Sequence, residues 1–393
     1  MKCKDYQQYC TGCGLCAAVQ NVSLGQDERG FCLPELTQQD LDFCGKVCPA
    51  GGAASALQSR TQLWGHYEGV FVGWSTDPEI RRQASSGGIL TALCCYLLDQ
   101  KLVDGVIQTC AHRDICYGTY TRVSHTKEDV LDCMGSRYSI SSPLAELTSL
   151  IRPGKTYAIV GKPCDISALR MYLKNNRELA AQLPYLLSFF CAGVPSLQAQ
   201  QQLLRTLDCP DPAQCKKLQY RGNGWPGYAT AEKLDGSSAQ ISYEDSWGKI
   251  LGRDVQKMCR FCLDGVGEFA DVACGDIWHL TPDKKPDFTE SDGQNIIFAR
   301  TEAGNRLLER AMEAGYITMA DHRSRLDDLR YVQKYQYDRK RVMLPMVQAM
   351  KLCGKSAPNY DKATLDAFSA GVPVKEKVRR MLGMIKRVIK GKV

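Results

Sequence analysis

The run Cys10-Thr11-Gly12-Cys13-Gly14-Leu15-Cys16 sets three thiols at a C-x2-C-x2-C spacing. Thiolates are soft donors that suit iron–sulfur clusters, and a tight glycine-containing loop lets three sulfurs converge on one face of a cube. In bacterial ferredoxin-type runs the fourth ligand comes from a distant Cys-Pro, and Cys48-Pro49 supplies one here. A two-cluster chain carries two complete C-x2-C-x2-C-x3-C-P runs. In this chain the last position of the first run is Gln20, and the first two positions of the second are Gln38 and Leu41. What survives is the set for a single 4Fe–4S cluster, Cys10, Cys13, Cys16 and Cys48, with Cys32 and Cys44 spare. Zinc is the rival reading, but zinc sites pair C-x2-C units more often than they set a triplet against a remote Cys-Pro.

A second group of thiols is scattered. Cys164 ends the apolar run Tyr157–Val160 in a Gly161-Lys162-Pro163-Cys164 turn, and Cys191 ends the run Leu186–Phe190. Far downstream, Cys259 and Cys262 form a lone C-x2-C, a pattern shared by zinc sites, redox disulfides and clusters. Set beside Cys164 and Cys191 it predicts a second 4Fe–4S site, with Cys274 competing for the fourth position.

These residues need elements to hold them. Apolar runs at Gly69–Gly73, Val103–Ile107, Tyr157–Val160 and Leu186–Phe190 read as buried strands, and Ile89–Leu98 has a helical pattern in which Cys94 and Cys95 are ordinary small core residues. Ser85-Ser86-Gly87-Gly88 leads directly into that helix, where free backbone N–H groups can bind an anion. Gly135-Ser136-Arg137-Tyr138 offers a turn, a hydroxyl and a cation, and Lys162 stands at a strand end, where ligands of α/β folds sit. The loop Tyr220–Gly227 is glycine-rich and aromatic, suited to a planar cofactor or to a tight turn. His112, His279 and Asp276 are candidate proton donors, none assigned as a general acid.

The chain has 393 residues, 44% hydrophobic and 24% charged, which excludes wholesale disorder and allows two or three domains. No apolar run reaches the roughly 18–20 residues of a membrane span, and the N-terminus lacks an apolar signal. The chain therefore reads as cytoplasmic, and twenty cysteines in a reducing compartment read as metal ligands or redox groups rather than disulfides. The net charge of +7 is concentrated after Lys375, where cations face a single acid, Glu376, and apolar residues recur at helical spacing from Val374 to Ile389. That end reads as a helix packed on the body, with peripheral contact to anionic lipid or an acidic partner as the second reading.

Taken together, the chain resembles the coenzyme F420 hydrogenase/dehydrogenase beta-subunit family. The resemblance runs from Cys10 to about Gly315 and rests on the N-terminal thiol run, Ser85–Gly88, Gly135–Tyr138, Gly161–Cys164, Phe190–Ser196, Cys259-x2-Cys262, Gly275–Trp278 and Asn295–Gly304. It implies FAD in an α/β domain, held by Ser85, Ser86, Gly87, Gly88, Gly135, Ser136, Arg137, Tyr138, Gly161, Lys162 and Asp276, and a second cluster on Cys164, Cys191, Cys259 and Cys262. Lys162 departs from the small residue, usually Thr, of that turn.

The expected architecture is α+β or α/β in three parts: a ferredoxin-like 4Fe–4S domain over 1–60, an α/β FAD domain over 64–320, and a helical extension over 321–393. The expected function is an oxidoreductase that passes electrons from a ferredoxin-like donor through one or two clusters to FAD and on to an organic substrate, with polysaccharide biosynthesis as a setting. The alternatives are an F420-dependent hydrogenase or dehydrogenase beta subunit, or a relay subunit without its own substrate. Self-association is an expected mode of assembly, and no nucleic-acid partner is expected.

Overall fold

Alternating and continuous apolar runs decide the elements. The structure, a computed structural model, describes residues 1–51, 62–321 and 326–391. The N-terminal part comprises α1 (Cys3–Gln8), α2 (Leu15–Gln20), the antiparallel pair β1 (Leu24–Gln26) and β2 (Cys32–Pro34), and α3 (Leu41–Val47).

The body follows as β3 (Gly69–Ser75), α4 (Ile89–Asp99), β4 (Gly105–Ala111), β5 (Thr119–Ser124), β6 (Tyr157–Gly161), α5 (Pro163–Leu173), β7 (Tyr185–Phe189) and α6 (Leu197–Thr206). Next come β8 (Cys215–Gln219), β9 (Tyr228–Lys233) and β10 (Ser238–Ser242), which form a separate antiparallel sheet, and the short helix α7 (Lys257–Phe261). The body closes with β11 (Val272–Asp276), β12 (Asn295–Ala299), α8 (Glu302–Glu313) and β13 (Ile317–Asp321). The tail is helical: α9 (Lys334–Arg341), α10 (Met343–Leu352), α11 (Lys362–Ser369) and α12 (Val374–Ile389).

Eight strands form one mixed sheet in the order β13-β3-β12-β11-β7-β6-β4-β5. Its centre, β11-β7-β6-β4, is parallel, and the strands outside it pair antiparallel. Successive side chains of a strand point to opposite faces. Ile107, Ile159, Leu186 and Ala273 accordingly face one core, while Val106, Ala158, Leu187 and Cys274 face another beneath α4 and α8. Helix α4 starts where expected: Gly88 has φ +77°, and a Cβ there would meet Ile80 at 2.9 Å. The strands expected at 103–107 and 186–190 form slightly displaced, as β4 and β7.

The first core runs through all three expected parts. Tyr9 and Leu15 from the N-terminal segment, Ile159 and Leu186 from the sheet, and Met343 and Phe368 from the tail are buried in one cluster. Each large aliphatic side chain so buried contributes about 1.5–3 kcal/mol, so the tail is integral to the body. Strand β13, at the expected boundary, is a member of the large sheet.

Candidate functional site

The glycine-bearing thiol loop precedes α2, and its conformation needs its glycines. Gly14 has φ +86°, and a Cβ there would meet the Ala145 backbone at 2.6 Å. The loop brings Cys10, Cys13 and Cys16 to one cavity, which Cys48 also lines from the end of α3. Cys32, from β2, and Cys44, from α3, line the same cavity. Their place there was not read from the sequence, although Cys44 occupies the third position of the incomplete second run. Burial pushes the thiols of Cys13 and Cys16 up to about 12.

The scattered thiols converge as well. Cys164 lies in the first turn of α5, Cys191 just past β7, and Cys259 and Cys262 at α7 and its C-terminal cap. All four line one cavity. The N–H of Val194 points at the Cys259 sulfur at 3.4 Å. Burial pushes Cys191, Cys259 and Cys262 up to about 11. Cys274 is not brought to this cavity; its side chain packs on the α4 face of the sheet, in the core that holds Cys94.

The tail supplies part of the polar surroundings of this second site. Arg339 lines the cavity and donates to the Cys259 carbonyl at 3.0 Å, and the Gln336 amide donates to the Cys191 carbonyl at 2.7 Å. The Arg339 cation favours thiolate at Cys191, Cys259 and Cys262. These residues carry no local motif, so nothing in the sequence ties the tail to the cysteines.

Thr11 lines both cavities, and its buried hydroxyl lacks a hydrogen-bond partner among the described residues. Lys162 is placed between the two thiol sets. Its ammonium pairs with buried Asp165 at 2.9 Å and donates to Ser141 Oγ at 2.8 Å. Burial opposes its charge, but Asp165 and then Cys164 hold its pKa above the usual lysine range. The same cation favours thiolate at Cys13 and Cys32 on one side and at Cys164 and Cys191 on the other.

Among the described residues no three Cys, His, Asp or Glu side chains gather as a single ion would require. Four thiols spread around a cavity fit a cluster better than one zinc ion.

The segments expected to hold FAD meet in part. The Ser136 N–H donates to Ser85 Oγ at 2.7 Å, and Ser86 Oγ donates to the Gln294 carbonyl at 2.7 Å. Gly87 lies tightly against Asn295, whose Oδ1 accepts from the Ile89 N–H at 3.4 Å. Arg137 is mostly buried; among the described residues no carboxylate pairs with it and its Nε has no partner, while its Nη1 donates to the Ser136 carbonyl at 3.5 Å, and burial lowers its pKa. Tyr138 packs against Trp247 and Tyr220, with centroids at 4.7 and 5.6 Å. A buried guanidinium with an unpartnered Nε, beside two serine–glycine loops and aromatic rings, fits a flavin dinucleotide, with its diphosphate and planar ring.

Asp276 is differently engaged. Its carboxylate accepts from both terminal nitrogens of Arg221, at 2.8 and 3.2 Å, and from Trp225 Nε1 at 2.9 Å. The carbonyl of Gly161, at the end of β6, accepts from the Ser188 hydroxyl at 2.9 Å. Cys110 and Cys133 are joined by a disulfide, where the sequence led us to expect metal ligands or redox groups; the bond ties β4 to the segment before Gly135.

Two blocks match the family described as coenzyme F420 hydrogenase/dehydrogenase, beta subunit: its N-terminal part over residues 70–149 and its C-terminal part over 154–325. The chain belongs to this family. It is 28% identical over 243 residues to the F420-dependent formate dehydrogenase subunit beta of Methanocaldococcus jannaschii, covering 62% of this chain and 59% of the relative. It is 27% identical over 247 residues to the coenzyme F420 hydrogenase subunit beta of Methanosarcina barkeri, covering 61% and 77%. The coenzyme F420-dependent sulfite reductase of Methanocaldococcus jannaschii is 26% identical over 318 residues, covering 76% of this chain and 45% of the relative. A chain of the F420-reducing NiFe hydrogenase complex from Methanosarcina barkeri superposes with a TM-score of 0.58 at 25% identity, covering 76% of this chain and 97% of that one. These relatives are oxidoreductases or their subunits. The family blocks begin after the N-terminal thiol run, at residue 70. Among the described residues no helix is long and apolar enough to cross a membrane.

Proposed function

We propose that this chain is an iron–sulfur flavoprotein subunit that exchanges electrons with the deazaflavin coenzyme F420 and passes them to a partner oxidoreductase. The observation that carries it is the pair of thiol-lined cavities adjoining at Thr11 in a chain of this family. The ferredoxin-like donor and organic substrate read from the sequence give way here to F420, since the formate dehydrogenase, hydrogenase and sulfite reductase relatives are all F420 proteins by name.

Clusters carry single electrons and a flavin carries one or two, so a chain holding both couples one-electron carriers to a hydride-exchanging coenzyme. Cys10, Cys13, Cys16 and Cys48 would hold one cluster, and Cys164, Cys191, Cys259 and Cys262 the other. Ser85–Gly88, Gly135–Tyr138 and Gly161 would hold FAD, with Arg137 facing its diphosphate. Lys162 and Arg339 supply positive charge to the buried thiolates, and the apolar cavity walls exclude water from them.

The test is anaerobic purification with iron, sulfide and flavin analysis, followed by addition of reduced F420 and a viologen acceptor. About eight irons and one FAD per chain are expected, with viologen reduction that depends on F420. Zinc in place of iron in folded protein, or a flavin that F420 does not reduce, would sink the reading.

A further inference from the structure

Helix α12 has apolar residues on two faces. Met381, Met384, Ile385 and Val388 turn inward to the core that includes α10. Val374, Val378, Leu382 and Ile389 do not; they are 75%, 42%, 57% and 78% exposed. Steps of four, four and seven residues bring these onto one stripe of a helix with 3.6 residues per turn. The next positions around the wheel on the solvent side are Lys375, Arg379, Lys386 and Lys390, all exposed. The helix has one acid, Glu376, and Arg379 and Arg380 both pair with it.

We infer that α12 seats the protein on an anionic lipid surface, with the Val374–Ile389 stripe among the acyl-chain ends and the flanking lysines among the headgroups. An exposed apolar stripe bordered by cations is the pattern of a helix lying in the membrane interface, and each such cation adds attraction to an anionic leaflet. Charge decides against a second copy of the chain as occupant, because pairing the stripe with itself brings Lys375, Lys386 and Lys390 against their own kind. The inference does not depend on the redox reading, since α12 reaches the lipid through residues outside both thiol cavities.

The experiment is flotation of the purified full-length protein with vesicles of phosphatidylcholine alone and of phosphatidylcholine mixed with phosphatidylglycerol, at low and high salt. Binding to the mixed vesicles only, weakened by salt, is expected. Leu382→Gln with Ile389→Gln, and separately Lys386→Glu with Lys390→Glu, should each lower the bound fraction about tenfold or more while melting temperature and iron content stay unchanged. Equal binding to neutral vesicles, or none to either, overturns the proposal. So does a wild-type dimer that the Leu382/Ile389 variant dissociates, or loss of a co-purifying acidic protein in that variant, when the wild type does not float.

Discussion

The side-chain amide of Gln256 donates to the main-chain carbonyl of Cys10 at 2.7 Å. The carbonyl of the same glutamine accepts from the Cys259 N–H at 3.0 Å. One buried residue thus links the backbones of a thiol from each cavity, across 246 positions of sequence. Gln256→Leu keeps the volume and removes the donor, leaving a part-buried carbonyl unpaired. Urea unfolding of the anaerobic protein should show a loss of about 1–3 kcal/mol, and Gln256→Glu, which sets an acceptor-only carboxylate against the same carbonyl, should lose at least as much. An unchanged midpoint would mean that water replaces the amide and that the two loops are not held through it.

The placement of the second thiol set gives a contrast within one experiment. Cys191→Ser removes a thiol from the cavity, whereas Cys274→Ser alters a side chain packed under α4. The first should lower iron by about four per chain, while the second should leave iron unchanged and act on stability alone. Iron and sulfide analysis of the two variants decides it. Equal iron loss in both would return Cys274 to the ligand set.

How much of this was legible in the sequence follows the range of the signals. The thiol triplet, the Gly88 helix start and the central strands are local patterns, and each forms within a few residues of where it was read. Convergence of Cys164, Cys191, Cys259 and Cys262 was expected through strand ends, because the parallel order β11-β7-β6 sets the segments after them side by side. The place of Cys274 depends on strand parity: it lies two residues from the strand end, on the face opposite Ala273. The partners of Asp276 and the approach of Gln336 and Arg339 to the cysteines are long-range contacts with no periodic signature. The three-part division hid them, because a core shared by residues as distant as Tyr9 and Phe368 leaves no mark in local composition.

Lys340 and Glu268 form a pair buried to within a few per cent, joining α9 to the segment after the C-x2-C. Burial raises the Glu268 pKa from 4.5, and the Lys340 ammonium opposes that rise. Lys340→Met removes the opposition, so the folded pKa climbs further above the unfolded value. A carboxyl with a raised folded pKa stabilises fully below its unfolded pKa, and that stability is lost as pH rises through the folded value. The variant should therefore lose about 3–5 kcal/mol at neutral pH and less as pH falls toward the ordinary carboxyl range. Urea midpoints for both proteins across that window check the sign; a loss that grows on acidification would contradict it.

Arg137 poses the opposite case, a mostly buried cation with no carboxylate to answer it among the described residues. Among the described residues its guanidinium is answered only by a long hydrogen bond to the Ser136 carbonyl at 3.5 Å, and Nε stays unpartnered, so its desolvation is poorly compensated. If the diphosphate of a flavin provides that compensation, Arg137→Gln should weaken FAD binding by at least about tenfold, equivalent to roughly 1.4 kcal/mol. The flavin-free variant should be no less stable than flavin-free wild type, because an unpaired cation has been removed. Fluorescence titration of FAD into the two apoproteins, with melting curves of each, reads both quantities. Unaltered FAD affinity together with lowered stability would make Arg137 a structural residue, and the flavin phosphates would have to be held by the Ser85 and Ser136 loops alone.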